Sequence, residues 1–346
     1  MKKIIVLLII IPLIFTGCEF TDYVDIEDRA IVSGIGFDRV NEKIELSMEI
    51  VNTPDSEKGI PEPLVLKANG ADLYEALNRI SANVSRNLFY SHCAIVVLGE
   101  NLTKEDIKAL LDYCFENSEF TLLLKIVSAK SANELLNVKP EALSVTAYEV
   151  MSILNSKQKN LALGYKNSFV TVESKRDSSP FIFSAPFFNI EEEEEKKLYR
   201  LNGIKIYENN EEKLYLNSYF GSVYEVFSNS FKSGQITLKN GEDTQTVSVK
   251  SSSSSINVSK LNDKFIIDIK VKQTLQHEQN QNFNLKKYNE ILKNNAIKLT
   301  ELSKEKELDI FGIFKILEDI RKETSLNDFK KLYKNSKFSI TLDVSF

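Results

Sequence analysis

A chain of 346 residues, 42% hydrophobic and 27% charged, has an ordinary globular composition and room for two or three packed domains. Its net charge of −5 lacks the basic excess of a nucleic-acid binder, so no nucleic acid is expected as a partner. Beyond Phe15 no apolar run approaches the roughly 20 residues that span a bilayer.

The first element is a secretory signal. Met1-Lys2-Lys3 is positive, and Ile4 to Phe15 is apolar and uncharged, within the length of about 7–15 residues typical of a signal's apolar region. Thr16-Gly17-Cys18 then has the lipobox pattern, with Phe15 where leucine is usual. Residues 1–17 are expected to be removed, leaving Cys18 as a lipidated N-terminus. Two acyl chains on its diacylglyceryl group would hold where one anchors only marginally.

A first unit is expected over residues 18–140. Ile44, Leu46, Met48 and Ile50 alternate with polar residues as a half-buried strand, and Ile31 to Phe37 is its hairpin partner across Val40-Asn41-Glu42. Ala71 to Val84 has helical spacing, and Ala94 to Leu98 is a short buried strand. Thr103 followed by Asp106 makes a weak capping box for the next helix. Leu122 to Val127 is expected as another buried strand and Ser131 to Leu136 as a short helix.

A middle unit is expected over 141–230. It has a helix at Ala147 to Leu154, a polar loop from Asn155 to Asn160, and strands at Phe169–Glu173 and Phe181–Phe188. The acidic run Glu191 to Glu195 fits a solvated loop or hairpin tip better than a calcium site, which needs oxygens gathered by a folded loop. Leu201 to Tyr207 and Lys213 to Leu216 pattern as a hairpin turning at Glu208 to Glu212.

The third unit spans 231–346. The serine run Ser251 to Ser255 fits a linker and equally a solvated strand edge or hairpin. Phe265, Ile267, Ile269 and Val271 alternate as a strand. Two helices follow, one from Leu285 to Leu302 and one from Ile310 to Ile320. Phe338, Ile340, Leu342, Val344 and Phe346 close the chain as a strand held in a sheet. The fold class is therefore α+β, in three successive units, each a mixed or antiparallel sheet packed with helices.

Chemistry is sparse. The two histidines are His92 and His277. His277 lies in a polar stretch and is expected at the surface. His92 is expected to bond to backbone, because His92 and Cys93 would point to opposite faces of a strand and cannot form a dyad. Cys93 and Cys114 sit in apolar patterns and are expected as buried free thiols, with a disulfide as the alternative. Gly34-Ile35-Gly36 lacks the third glycine and following helix of a dinucleotide loop. No catalytic residue, metal ligand or cofactor site is expected, and the chain is not read as an enzyme.

Four motifs carry a resemblance. They are Ile26-Glu27-Asp28-Arg29-Ala30-Ile31-Val32-Ser33-Gly34-Ile35-Gly36-Phe37-Asp38; Ser85-Arg86-Asn87-Leu88-Phe89-Tyr90-Ser91-His92 with Gly99-Glu100; Leu201-Asn202-Gly203-Ile204-Lys205-Ile206-Tyr207; and Leu308-Asp309-Ile310-Phe311-Gly312. In this order behind a lipobox, they resemble the Ger(x)C family of spore-germination lipoproteins. One departure is plain: the family carries Cys-Trp-Asp where this chain has Cys18-Glu19-Phe20, and the chain has no tryptophan. The resemblance implies the C subunit of a nutrient germinant receptor, lipid-anchored on the outer face of the spore inner membrane beside integral A and B subunits. It also implies three α/β units. The competing expectations are a lipid-anchored solute-binding protein of a transporter and, less favoured, a surface hydrolase.

Overall fold

The computed structural model describes residues 28–51, 63–139, 143–155, 169–193, 196–276, 283–319 and 325–346. The signal, Cys18, His277 and the polar stretch after Asn155 lie outside them. The chain opens with β1 (Arg29–Val40), β2 (Lys43–Val51) and β3 (Pro63–Gly70), then α1 (Leu73–Ala82). Next come β4 (Asn87–Phe89), β5 (Ile95–Leu98), α2 (Lys104–Glu116), β6 (Lys125–Ala129), α3 (Ala132–Leu136) and α4 (Thr146–Asn155). A short α5 (Phe169–Glu173) leads to β7 (Ile182–Glu193), β8 (Lys196–Glu208), β9 (Glu211–Asn217) and α6 (Ser218–Phe227). The last part holds β10 (Gly234–Asn240), β11 (Asp243–Leu261), β12 (Lys264–Leu275), α7 (Leu285–Glu305), α8 (Ile313–Asp319), α9 (Leu326–Lys334) and β13 (Lys337–Ser345).

The α+β class holds, with two sheets among the described residues. The larger has the order β3-β2-β1-β5-β6-β7-β8-β9, with β4 pairing to β1; the smaller has the order β10-β11-β12-β13. Strands expected in separate first and middle units thus share one sheet. The join is a short parallel pairing of β6 with β7, Ser128 to Phe187 and Ala129 to Phe188. All four residues are buried there, and parting the strands would uncover Phe187 and Phe188.

β1 is buried on both faces because helices cover both. A register shift between Val32 and Gly34 resets its alternation. Ala30, Val32, Ile35 and Phe37 thereby share one core with α1, α2 and α5. The opposite core takes Ile95, Val97 and Val127 with α3 and α4. A third core joins β8, β9 and α6 to the smaller sheet and α7.

Several segments differ from expectation. Phe169–Glu173 is helical: Phe169 and Val172, three apart, are both buried, and five residues are too few for periodicity to separate strand from helix. The strand expected from Leu122 begins only at Lys125. Before it Thr121 closes a tight turn, its carbonyl accepting from Leu124 N–H and its Oγ1 from Leu123 N–H. The acidic run is at a hairpin tip as expected, closing the β7–β8 hairpin at Glu193 opposite Lys196, and Arg200 bonds Glu191 at 2.6 Å and also pairs with Glu193. Of the two readings of the serine run, the strand holds: it lies within the 19-residue β11, past the stretch paired with β10. There Ser252 N–H donates to Lys232 O at 2.7 Å and Ser254 Oγ to Phe227 O at 2.8 Å, tying the strand to the end of α6. The helix expected from Ile310 starts at Ile313, after Gly312 at φ 70°.

Candidate functional site

The first motif does structural work, and each polar residue has a defined partner. Glu49 is fully buried on β2 and accepts from Thr146 N–H (2.8 Å), Ala147 N–H (2.9 Å) and Ser33 Oγ (2.8 Å). It therefore caps α4 from across the sheet. Asp38 does the same for α3, accepting from the N–H groups of Ala132 and Asn133, each at 2.9 Å. A carboxylate at a helix N-terminus meets unpaired amides and the positive end of the dipole. Burial outweighs these donors at both carboxyls, pushing them above the usual carboxylate range. Gly34 and Gly36 let the two helices close in. A Cβ on either would lie 3.0 Å from Ala147 Cβ or Ala132 Cβ respectively.

The second and third motifs meet. Gly99 lies so close to Asp38 that a Cβ would come within 2.0 Å of its Oδ1. Next to it, Glu100 bonds Lys205 of β8 at 3.2 Å, and Glu212 of β9 completes the pair at 2.9 Å. The Lys205 ammonium, 4% exposed, also rests 4.8 Å from the Phe187 ring centroid. In the fourth motif Asp309 is buried and accepts from Ile313 N–H (2.9 Å) and Phe314 N–H (2.7 Å). Its pKa is pushed up to about 6 by burial, against the amides around it. The capping box at Thr103 and Asp106 is fully formed, and Asp106 also takes a two-pronged bond from Arg39 at 2.6 and 2.7 Å.

Catalytic candidates do not assemble. His92 is exposed and rests 6.0 Å from the Phe89 ring, in place of the buried backbone-bonded role expected for it. A turn before β5 puts it at the surface, while Cys93 turns inward and donates its thiol to Ile95 O at 3.4 Å. Cys93 and Cys114 are buried free thiols, and burial raises both above the ordinary thiol range. Among the described residues no group of His, Cys, Asp and Glu could hold a metal ion, and no helix is long and apolar enough to cross a membrane. A cleft of about 90 Å³ between the two sheets, bordered by Lys175, Tyr224, Asp309 and Lys315, is smaller than the roughly 300–1,000 Å³ of small-molecule sites. A groove of about 380 Å³ beside β3 and α3 is lined mainly by surface side chains such as Lys67, Glu134 and Lys197.

What the fold does gather is one end of the large sheet. β1, β4, β5 and β6 run parallel, so their N-terminal ends share an edge. The chain comes in there at Arg29, whose guanidinium lies 4.3 Å from the Phe89 ring centroid. Adjacent Tyr90 packs on Phe120 at 5.0 Å, and Phe120 leads into the Thr121 turn. Sequence periodicity missed this turn because Leu122 to Ile126 is an unbroken apolar and lysine run with no breaker residue.

Comparison with known proteins agrees with these motifs. Residues 22–171 match the family described as the spore germination protein N-terminal domain, and residues 202–346 match the spore germination B3/GerAC-like C-terminal family. The chain is 31% identical over 134 residues to spore germination protein KC of Bacillus subtilis (strain 168), covering 36% of this chain and 32% of that one. It is 27% identical over 150 residues to the putative spore germination protein YfkR of the same organism, covering 40% and 38%. The aligned stretches thus span about a third of the length of these curated relatives. The crystal structure of the GerBC protein superposes with a TM-score of 0.56 at 14% identity, covering 93% of this chain and 99% of that one, a likeness of fold.

Proposed function

This chain belongs to the GerAC-like family of spore germination proteins, and on that premise we propose that it is the C subunit of a nutrient germinant receptor. In this reading Cys18 carries a diacylglyceryl anchor, and the folded part stands on the outer face of the spore inner membrane. Its partners are the integral A and B subunits, and its task is to assemble the receptor or carry its signal. The observation that carries the proposal is the pairing of both family domains, along 22–171 and 202–346, with the lipobox pattern Thr16-Gly17-Cys18.

The polar clusters fit a scaffold. Glu49, Asp38, Asp309 and Lys205 each have their bonding capacity engaged by amides or ion pairs, which leaves them holding helices and strands in place. A transporter's solute-binding protein would need a deep cleft between two lobes. Here the two sheets share one apolar core, and the cleft between them measures only about 90 Å³. Confinement to a membrane plane raises the effective concentration of membrane partners, so modest contacts suffice to hold a complex.

The test is a deletion strain. Germination by the cognate nutrient should be lost, and germination by agents that bypass receptors should persist. Cys18→Ala should reproduce the deletion and release the protein from the membrane fraction. An unchanged nutrient response in every receptor background, with A and B subunits retained, would refute the proposal.

A further inference from the structure

We propose that the Thr121–Leu124 turn is a membrane-contact tip, whose Leu122 and Leu123 side chains enter the headgroup–acyl boundary of the bilayer that holds the anchor. This rests on the lipidation of Cys18 proposed above. Scattered single exposed leucines are ordinary, but adjacent leucines at the apex of a rigid turn are a different feature. Leu122 is 59% exposed and Leu123 67%, and their backbone is fixed by the Thr121 bonds and by Lys125 N–H donating to Ala94 O. Val170, 41% exposed, adjoins them, because Phe169 N–H donates to Leu124 O at 2.8 Å.

The position of this apolar tip identifies its occupant. It precedes Lys125, which is level with Ile95 and with Gly34 of β1, so it lies on the half of the sheet nearer Arg29 and is linked to it through the Arg29–Phe89 and Tyr90–Phe120 contacts. Ten residues of chain lie between Cys18 and Arg29, a reach of about 40 Å at most. The exposed leucines are thus on the part of the sheet nearer to the point where the tether joins the folded body. The far end of β1, at the β1–β2 turn, pairs Val40 with Lys43 and lies a full strand length from Arg29. Shallow insertion of apolar side chains is how surface elements bind at the headgroup boundary. With the anchor it would make a second point of attachment and fix the orientation of the large sheet relative to the bilayer, where an anchor alone leaves the body free to tumble.

The full lipidated protein, reconstituted into phosphatidylethanolamine–phosphatidylglycerol vesicles, provides the test. An environment-sensitive dye is placed on Leu123→Cys and, as the far-edge control, on Lys43→Cys; the buried thiols Cys93 and Cys114 set the background in the parent chain. The expected result is a blue-shifted Leu123 label, quenched by shallow spin-labelled lipid several-fold more than the Lys43 label. Equal, weak quenching at both sites in vesicle-bound protein would overturn the tip while leaving the anchor intact. A blue shift without lipid quenching would overturn it in favour of cover by a second copy of this chain. Failure of the parent protein to float with the vesicles would overturn the anchor, and the tip with it.

Discussion

Glu49 shows what a single residue does in this fold. Its carboxylate is out of water and is bonded by Thr146 N–H, Ala147 N–H and Ser33 Oγ, so one side chain on β2 fixes where α4 lands. Glu49→Gln keeps the shape but turns an N–H₂ group towards one of those amides. An unsatisfied buried donor costs about 1–3 kcal/mol, so the unfolding free energy should fall by that amount, seen as a lower urea midpoint with an unchanged slope. Asp309 gives a test by pH. Its carboxyl titrates near 6 when folded against an ordinary 3.8, so the folded state binds the proton more tightly. That contribution to stability is fully present below about pH 4 and is lost as the pH rises through 6. The gap corresponds to roughly 3 kcal/mol. Asp309→Asn should flatten the dependence of stability on pH between 4 and 6, measured against the parent by urea titration at each pH. An unchanged pH dependence would show that the carboxyl is not perturbed.

Among the elements, β13 bears the sharpest prediction. It pairs parallel to β12 from Lys337 to Ser345, and Phe338 meets Phe311 and Tyr333 at 6.0 and 6.1 Å between ring centroids. Phe338, Ile340, Leu342 and Val344 pack half-buried on the core beneath, so a chain ending at Lys337 should lose on the order of 3–6 kcal/mol. A truncated protein that melted near the parent temperature would contradict this role. This strand was legible because strict alternation over nine residues has no helical counterpart. So were the β1–β2 hairpin and the Leu285–Glu305 helix, whose buried Tyr288, Ile291, Leu292, Ala296 and Leu299 repeat at helical spacing. The short pieces were not, for a physical reason. Over the five residues of Phe169–Glu173 and at the Thr121 turn, the deciding interactions are a bond to Leu124 O and the start of the β6 ladder, both supplied by distant chain. The lipobox is local and reads directly. The exposure of Leu122 and Leu123 is tertiary, and by local pattern alone the leucine run reads as buried strand. Strand order is likewise absent from local pattern, so the merging of β7, β8 and β9 with the first sheet had no signature in periodicity.

At the scale of the whole molecule, β8 is the strand on which the parts converge. Ile204 and Ile206 face the core shared with the smaller sheet, and Tyr207 faces the core of α1 and α2, stacked on Phe183 at 4.8 Å. Leu201 packs against both the first of these cores and that of α3 and α4. From outside, Lys330 of α9 bonds Glu208 at 3.2 Å, and Glu100 and Glu212 bond Lys205. A strand shared by three cores cannot lose order in one without exposing apolar surface in the others. The sheets should therefore unfold together. Ile206→Ala, a fully buried truncation, should cost about 2–5 kcal/mol and lower one shared calorimetric transition. Amide exchange should report the same coupling, with β1 and β12 losing protection to a similar extent in the variant. Two separated transitions, of which the variant moved only one, would mean the halves are mechanically independent. The outcome bears on function, because a body that moves as one piece can carry a tilt imposed at the Leu122–Leu123 edge through to the β13 strand, where a jointed body would absorb it.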